Sequence, residues 1–122
     1  MSGRKKILVI EDNMMLAETY VDLLRSSGYD VLEVASTGEE AIMTAESNRP
    51  DLVLMDIGLR GSMDGIETSK VITESIEVPV VFISGLNDGA SMERMASIPN
   101  HRFLVKPVDF KVLERTVREL LE

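Results

Sequence analysis

Four short stretches of this sequence carry residue types that can do chemistry together. They are Glu11-Asp12, Asp56 with Gly58 two residues on, Ser84-Gly85, and Lys106-Pro107. Each directly follows a short apolar run: Ile7-Leu8-Val9-Ile10, Leu52-Val53-Leu54-Met55, Val80-Val81-Phe82-Ile83 and Phe103-Leu104-Val105. Gathered in one place, they supply three carboxylates, one hydroxyl and one ammonium. Three carboxylates within ~5 Å of one another repel by roughly 3 kcal/mol per pair at an effective dielectric near 20, and a single lysine offsets only part of that. A hard divalent cation offsets the rest. Mg2+ takes oxygen ligands and commonly binds through one or two carboxylates plus phosphate. A carboxylate beside Mg2+, a lysine and a hydroxyl donor is what in-line phosphoryl transfer to an acid requires. The cation and the lysine neutralise phosphoryl oxygens, the hydroxyl donates to one of them, and the carboxylate is the nucleophile that becomes an acyl phosphate.

Such a set works only if the fold brings the four stretches to one edge. Most of the apolar runs are rich in β-branched residues and run without interruption, which suits strands covered on both faces of a parallel sheet. A further run, Val31-Leu32-Glu33-Val34, alternates more, as an edge strand does. Helical spacing lies between the runs. Leu16, Tyr20, Leu23 and Leu24 fall at i, i+4, i+7 and i+8, with Gly28 as the stop. Thr37-Gly38-Glu39-Glu40 predicts a capping box, with Thr37 as cap and Glu40 reaching back; Ala41, Ile42 and Ala45 follow on one face, and Asn48-Arg49-Pro50 ends the segment. Asp64-Gly65-Ile66-Glu67 has the same form and opens a helix to about Glu74. A short helix is expected from about Ala90 to Ser97, and a last one from near Asp109, carrying Leu113, Val117, Leu120 and Leu121. The order is β-α five times over, which predicts a doubly wound α/β domain with a five-stranded parallel sheet and five helices. Ligands of such sheets bind beyond the carboxyl ends of the strands, where the reactive stretches fall.

Composition removes competing classes. A chain of 122 residues is one domain of ordinary size, and no linker, low-complexity tract or repeat divides it, so 1–122 is expected to be a single unit with no output domain. With no cysteine there is no disulfide framework, thiolate metal site or cysteine nucleophile; one histidine forbids a multi-histidine metal site. That residue, His101, sits after Ile98-Pro99-Asn100 and is expected to be a surface loop residue. The net charge of −8 argues against direct nucleic-acid binding and against anionic membrane surfaces. The basic start is followed by an apolar run that stops at Glu11, too short for a secretory signal, and no run approaches the ~20 apolar residues of a spanning helix. A cytoplasmic location is the default expectation.

In order, and each at a predicted strand end, Glu11-Asp12, Asp56, Ser84 and Lys106-Pro107 resemble the receiver domain of two-component response regulators. The resemblance covers residues 6–121. It implies a flavodoxin-like fold with strand order 2-1-3-4-5 and a role in phosphorelay signalling. It implies that Asp56 accepts a phosphoryl group from a phosphohistidine on a histidine kinase or histidine phosphotransfer protein. By the same resemblance, Asp12, Asp56 and the Gly58 carbonyl ligate Mg2+, with Glu11 acting directly or through water. Ser84 and Lys106 hold the phosphoryl oxygens, and Phe103 takes the aromatic position that changes rotamer. The surface of the fourth helix, fifth strand and fifth helix is then the switched face and a candidate homodimer contact. Such a domain modifies itself and is not a turnover enzyme.

Three features depart from the common family pattern. The segment Leu59-Arg60-Gly61-Ser62-Met63 lacks the usual proline and is one residue longer before Asp64-Gly65. Phe103 has no hydroxyl, which excludes a switch hydrogen bond there. Gly58 and Leu86 offer no polar side chain to position an attacking water, so the acyl phosphate is expected not to be unusually short-lived.

Other functions fit less well. A haloacid-dehalogenase-like phosphatase needs a second aspartate where Gly58 stands. A flavin mononucleotide carrier needs a phosphate loop where Glu11-Asp12-Asn13 would repel it. A phosphorylation-independent interaction module would have no use for the acidic set. Met14 and Met15 are read as helix packing or surface, with Met14 a candidate for the site mouth. Lys111, Arg115 and Arg118 alternate with Glu114, Glu119 and Glu122, as a solvated salt-bridged face or a partner surface.

Overall fold

The computed structural model describes residues 3–85 and 89–122. In chain order the elements are β1 (Lys6–Ile10), α1 (Met14–Ser26), β2 (Asp30–Val31), α2 (Gly38–Asn48), β3 (Leu52–Asp56), α3 (Gly65–Ser75), β4 (Val80–Ser84), α4 (Gly89–Met95), β5 (His101–Val105) and α5 (Phe110–Leu121). The strands are parallel in the order β2-β1-β3-β4-β5, as expected.

Two-residue alternation along the strands splits the core into two layers. Leu8, Ile10, Val53, Met55, Val80 and Phe82 face Ala41, Ala45, Ile66, Ile72 and Met95, which belong to α2, α3 and α4. Ile7, Val9, Leu52, Leu54, Val81 and Ile83 face Tyr20 and Leu24 of α1 and Leu113 and Val117 of α5. β3 and β4 are buried at every position, which is why their sequences read as unbroken apolar runs. β5 closes one side of the sheet and is largely half-buried or exposed.

Three elements differ from expectation. The run 31–34 contributes only Val31 to a strand, the two-residue β2. Val31 and Val34 pack in one core layer, and Leu32 and Ala35 in the other. Residues three apart cannot share a face of a regular pleat, so the chain breaks the strand while keeping bonds from Leu32 N to Ile7 O and from Ala35 N to Val9 O. His101 is not a surface loop residue: it opens β5 opposite Val80 and is half-buried. Its Nδ1 lies 2.9 Å from the Ile98 carbonyl oxygen and its ring meets Phe82 edge-on at 6.0 Å. α4 is shorter than expected, with Met95 its one buried residue.

The caps expected at Thr37 and Asp64 form, the first in altered shape. The Asn13 side chain accepts from the N–H groups of Met15 and Leu16, and Asp109 does the same for Lys111 and Val112. Asp64 and Glu67 form the full capping box of α3. At α2, Thr37 accepts from Glu40 N, but the Glu40 carboxylate reaches past the cap to the N–H and hydroxyl of Ser36. α1 is followed by Gly28 at φ 99°, and α2 ends on Arg49 at φ 44°, just before Pro50. Among the described residues, no helix is long and apolar enough to cross a membrane.

Candidate functional site

Strand register carries the reactive residues to one rim. Ile10 pairs with Met55, Asp56 with Ile83, and Ser84 with Val105. The chain leaves each strand at that level, so Glu11, Asp56, Ser84 and Lys106 border one open cleft together with Asp12, Asn13, Gly58 and Arg60.

Asp56 is the last residue of β3 and is buried. Its Oδ1 accepts from Gly58 N at 3.0 Å and lies 3.6 Å from Lys106 Nζ. Glu11 is 1% exposed. Its Oε2 accepts from Asn13 N at 3.1 Å, while Oε1 lies 3.7 Å from Lys106 Nζ and has no hydrogen-bond partner. One carboxylate oxygen each from Glu11, Asp12 and Asp56 lie within 4.8 Å of one another. Asp12, the outermost of the three, is paired on Oδ2 with Arg60 Nε at 3.5 Å. Ser84 closes β4 and is buried, and Lys106 follows β5 with a cis peptide bond to Pro107.

The electrostatics are those of a crowded anionic pocket. Burial pushes the Glu11 carboxyl up to about 7; the negative charge of Asp56 adds to this, and the Asn13 N–H and Lys106 oppose it. The effect reaches Tyr20 on α1, whose phenol is pushed up to about 12, first by burial and then by Glu11 and Asp56. A buried carboxylate oxygen without a hydrogen-bond donor costs free energy that a cation would recover. The orphaned Glu11 oxygen and the three converging carboxylates therefore fit a hard, oxygen-seeking divalent cation.

The candidates outside this cluster fall into place individually. Gly58 meets the site through its N–H. Phe103 is half-buried against the core layer of α2, α3 and α4, opposite Phe82. Met14 is 56% exposed and is not among the residues bordering the cleft. Leu86 lies outside the described residues. On α5, Arg118 pairs with Glu114 at 3.1 Å; Glu114 also accepts from the Ser27 hydroxyl, and Glu122 from Tyr29 Oη. Part of that face is thus tied to the rest of the domain.

Two cleft residues escaped the sequence reading. Asn13 had a signal, since an Asn just before a helical pattern is an N-cap. Arg60 had none, because a loop arginine shows its carboxylate partner only after folding.

Comparison with known proteins points one way. The family model described as response regulator receiver domain matches residues 7–118. The DNA-binding response regulator MtrA of Mycolicibacterium paratuberculosis is 33% identical over 118 residues, 97% of this chain and 52% of that protein. The transcriptional regulatory protein PdtaR of Mycobacterium tuberculosis is 30% identical over 103 residues, 84% of this chain and 50% of that protein. The chain spans about half the length of these curated relatives. Among solved structures, the signal receiver domain of a modulated diguanylate cyclase from Desulfovibrio desulfuricans G20 superposes with a TM-score of 0.90 at 35% identity, covering 97% of this chain and 94% of that one.

Proposed function

The chain belongs to the response regulator receiver domain family of two-component signalling, and we propose on that premise that Asp56 is its phosphoacceptor. The observation that carries this reading is the carboxylate cluster, with Lys106 Nζ 3.6 Å from Asp56 and the buried Glu11 oxygen left without a donor. The phosphoryl donor is a phosphohistidine on a histidine kinase or histidine phosphotransfer protein. An Asp56 oxygen attacks phosphorus, the N–P bond breaks, and the imidazole leaves with the bonding electron pair and takes up a proton. The product is an acyl phosphate on Asp56.

Each neighbour has a task in that step. Asp12, Asp56 and the Gly58 carbonyl would hold Mg2+, with Glu11 directly or through water. When bound, the cation supplies positive charge to the phosphoryl oxygens. The Gly58 N–H holds the Asp56 carboxylate in place. Lys106 neutralises a phosphoryl oxygen, and the Ser84 hydroxyl donates to another. The new group adds about two negative charges beside Ser84 and Lys106. Ser84 moves toward them and the Phe103 ring fills the space vacated, which shifts the surface of α4, β5 and α5. Met92, Val105 and Phe110 are exposed hydrophobic residues on those elements or at their edges, and they suit this face as a partner or homodimer contact. Residues 1–122 act as one receiver unit in this reading, which modifies itself and must then be reset.

Exposure to acetyl phosphate and Mg2+ tests the assignment. The chain gains the mass of one phosphoryl group, and Asp56→Asn does not. Equal labelling of the two would overturn Asp56 as acceptor.

A further inference from the structure

Arg60 borders the cleft from the loop between β3 and α3. Its Nε lies 3.5 Å from Asp12 Oδ2, and its side chain is otherwise in solvent, 93% exposed. Two cations thus divide three carboxylates among the described residues: Lys106 sits inside, between Glu11 and Asp56, and Arg60 sits outside, on Asp12. Asp12 also contributes one of the oxygens that converge within 4.8 Å. A guanidinium on that carboxylate and a dication in the cluster are like charges a few ångströms apart, so each disfavours the other.

We propose that Arg60 is a built-in competitor for the cation. It neutralises Asp12 in the metal-free state, gives way when Mg2+ binds, and thereby lowers the affinity of the site. This inference rests on the receiver reading, because it takes Mg2+ as the ligand of the cluster.

The surrounding chain makes the side chain the moving part. Before Arg60, Ile57 N donates to Ile83 O, and the Ile57 carbonyl accepts from Gly65 N. After it, Gly61 turns at φ 107°, Ser62 donates to Glu39 on α2, and Asp64 caps α3. The backbone is therefore held on both sides. No other carboxylate pairs with Arg60 among the described residues, so rotation of its side chain breaks only the Asp12 contact. An exposed ion pair of this kind is weak, and its loss corresponds to roughly a two- to fivefold change in an equilibrium constant. That is enough to tune metal occupancy without abolishing it.

Calorimetric titration of the full chain with MgCl2 tests this. Arg60→Ala binds Mg2+ roughly two- to fivefold more tightly than wild type. Arg60→Lys, which keeps the charge, stays near the wild-type value. In the metal-free state, Arg60→Ala lowers the melting temperature of the wild-type chain but not of Asp12→Asn. Unchanged or weaker binding by Arg60→Ala, with the wild type binding normally, overturns the competitor role and leaves the receiver reading intact. Arg60→Lys binding as tightly as Arg60→Ala also overturns it, since charge is then not the cause. A wild type that binds no Mg2+ at all defeats the proposed Mg2+-dependent phosphoacceptor role of Asp56, and the role of Arg60 with it.

Discussion

Gly65 lies directly against the backbone carbonyl oxygen of Asp56. A Cβ on Gly65 would overlap that oxygen and stand 2.8 Å from the Cα of Ile57. The first turn of α3 is therefore seated on the peptide unit that carries the proposed acceptor. Backbone cannot rotate away as a side chain can. Gly65→Ala is expected to destabilise the domain by about 1–3 kcal/mol, the usual range for overpacking a tight site. Gly89, where a Cβ meets nothing within 4 Å, is the control, and Gly89→Ala should change stability by no more than about 1 kcal/mol. Urea unfolding measures both. Equal, small effects would mean that α3 can lift off the strand end without cost.

In the proposed reading, the Glu11 carboxylate opposes folding of the metal-free domain and favours it once Mg2+ is bound. Like charges ~5 Å apart repel by roughly 3 kcal/mol at an effective dielectric near 20, and Lys106 already offsets part of this. Glu11→Gln should stabilise the metal-free chain on the order of 1–2 kcal/mol at neutral pH. It should also shrink the rise in melting temperature produced by Mg2+. Thermal melts with and without Mg2+, in the presence or absence of a chelator, read both effects. A variant less stable without metal yet equally stabilised by Mg2+ would contradict the role given to this side chain.

Asp64 joins two helices as well as capping one. Its two oxygens meet the Arg94 guanidinium at 2.8 and 3.0 Å, which ties the start of α3 to α4. Burial alone would raise its carboxyl. The Arg94 guanidinium and the N–H groups of Glu67 and Ile66 outweigh burial and hold it below the ordinary 3.8. A depressed folded value contributes stability that is present above the unfolded pKa and lost as pH falls through the folded one. Acid unfolding of Arg94→Ala should therefore begin at higher pH than in the wild type, with little change in its shape near neutrality. Superimposable acid limbs would show that the pair is too solvent-screened to matter.

These particular residues show what was legible in the sequence. Strand ends could be placed because buried parallel strands leave unbroken apolar runs, and the end of each run marks the rim where Glu11, Asp56 and Ser84 emerge. The caps at Thr37 and Asp64 were legible because capping is local, within three residues. What failed depends on distant partners. β2 breaks because both core layers claim its side chains, and no local pattern records that competition. His101 enters β5 because Val80 is there to pair with it. Glu40 passes over the cap to Ser36, whose hydroxyl offers a second donor. Arg60 finds Asp12 across a turn, at a distance set by the fold and not by spacing.

The approach of α2 to α3 offers a test in which rescue is possible. A Cβ on Gly38 would overlap the Thr68 hydroxyl oxygen and stand 3.2 Å from Met63 Cβ. Thr68 is fully buried and its hydroxyl donates to the Asp64 carbonyl at 2.8 Å, so it has a defined place and little room to yield. Unlike the carbonyl under Gly65, however, the obstacle is a side chain that can be removed. Gly38→Ala alone should cost about 1–3 kcal/mol. Thr68→Ala alone should cost roughly 1 kcal/mol, for one lost hydrogen bond. Combined, the two should cost less than their sum, because residues in contact couple by about 0.5–3 kcal/mol. The same cycle run with Gly65→Ala and Thr68→Ala should be closer to additive, since the overlap there is with backbone. Urea unfolding of the four chains in each cycle gives the coupling. Additive costs at Gly38 and Thr68 would mean that the helices separate to admit the methyl group, and that their close contact does not depend on the glycine.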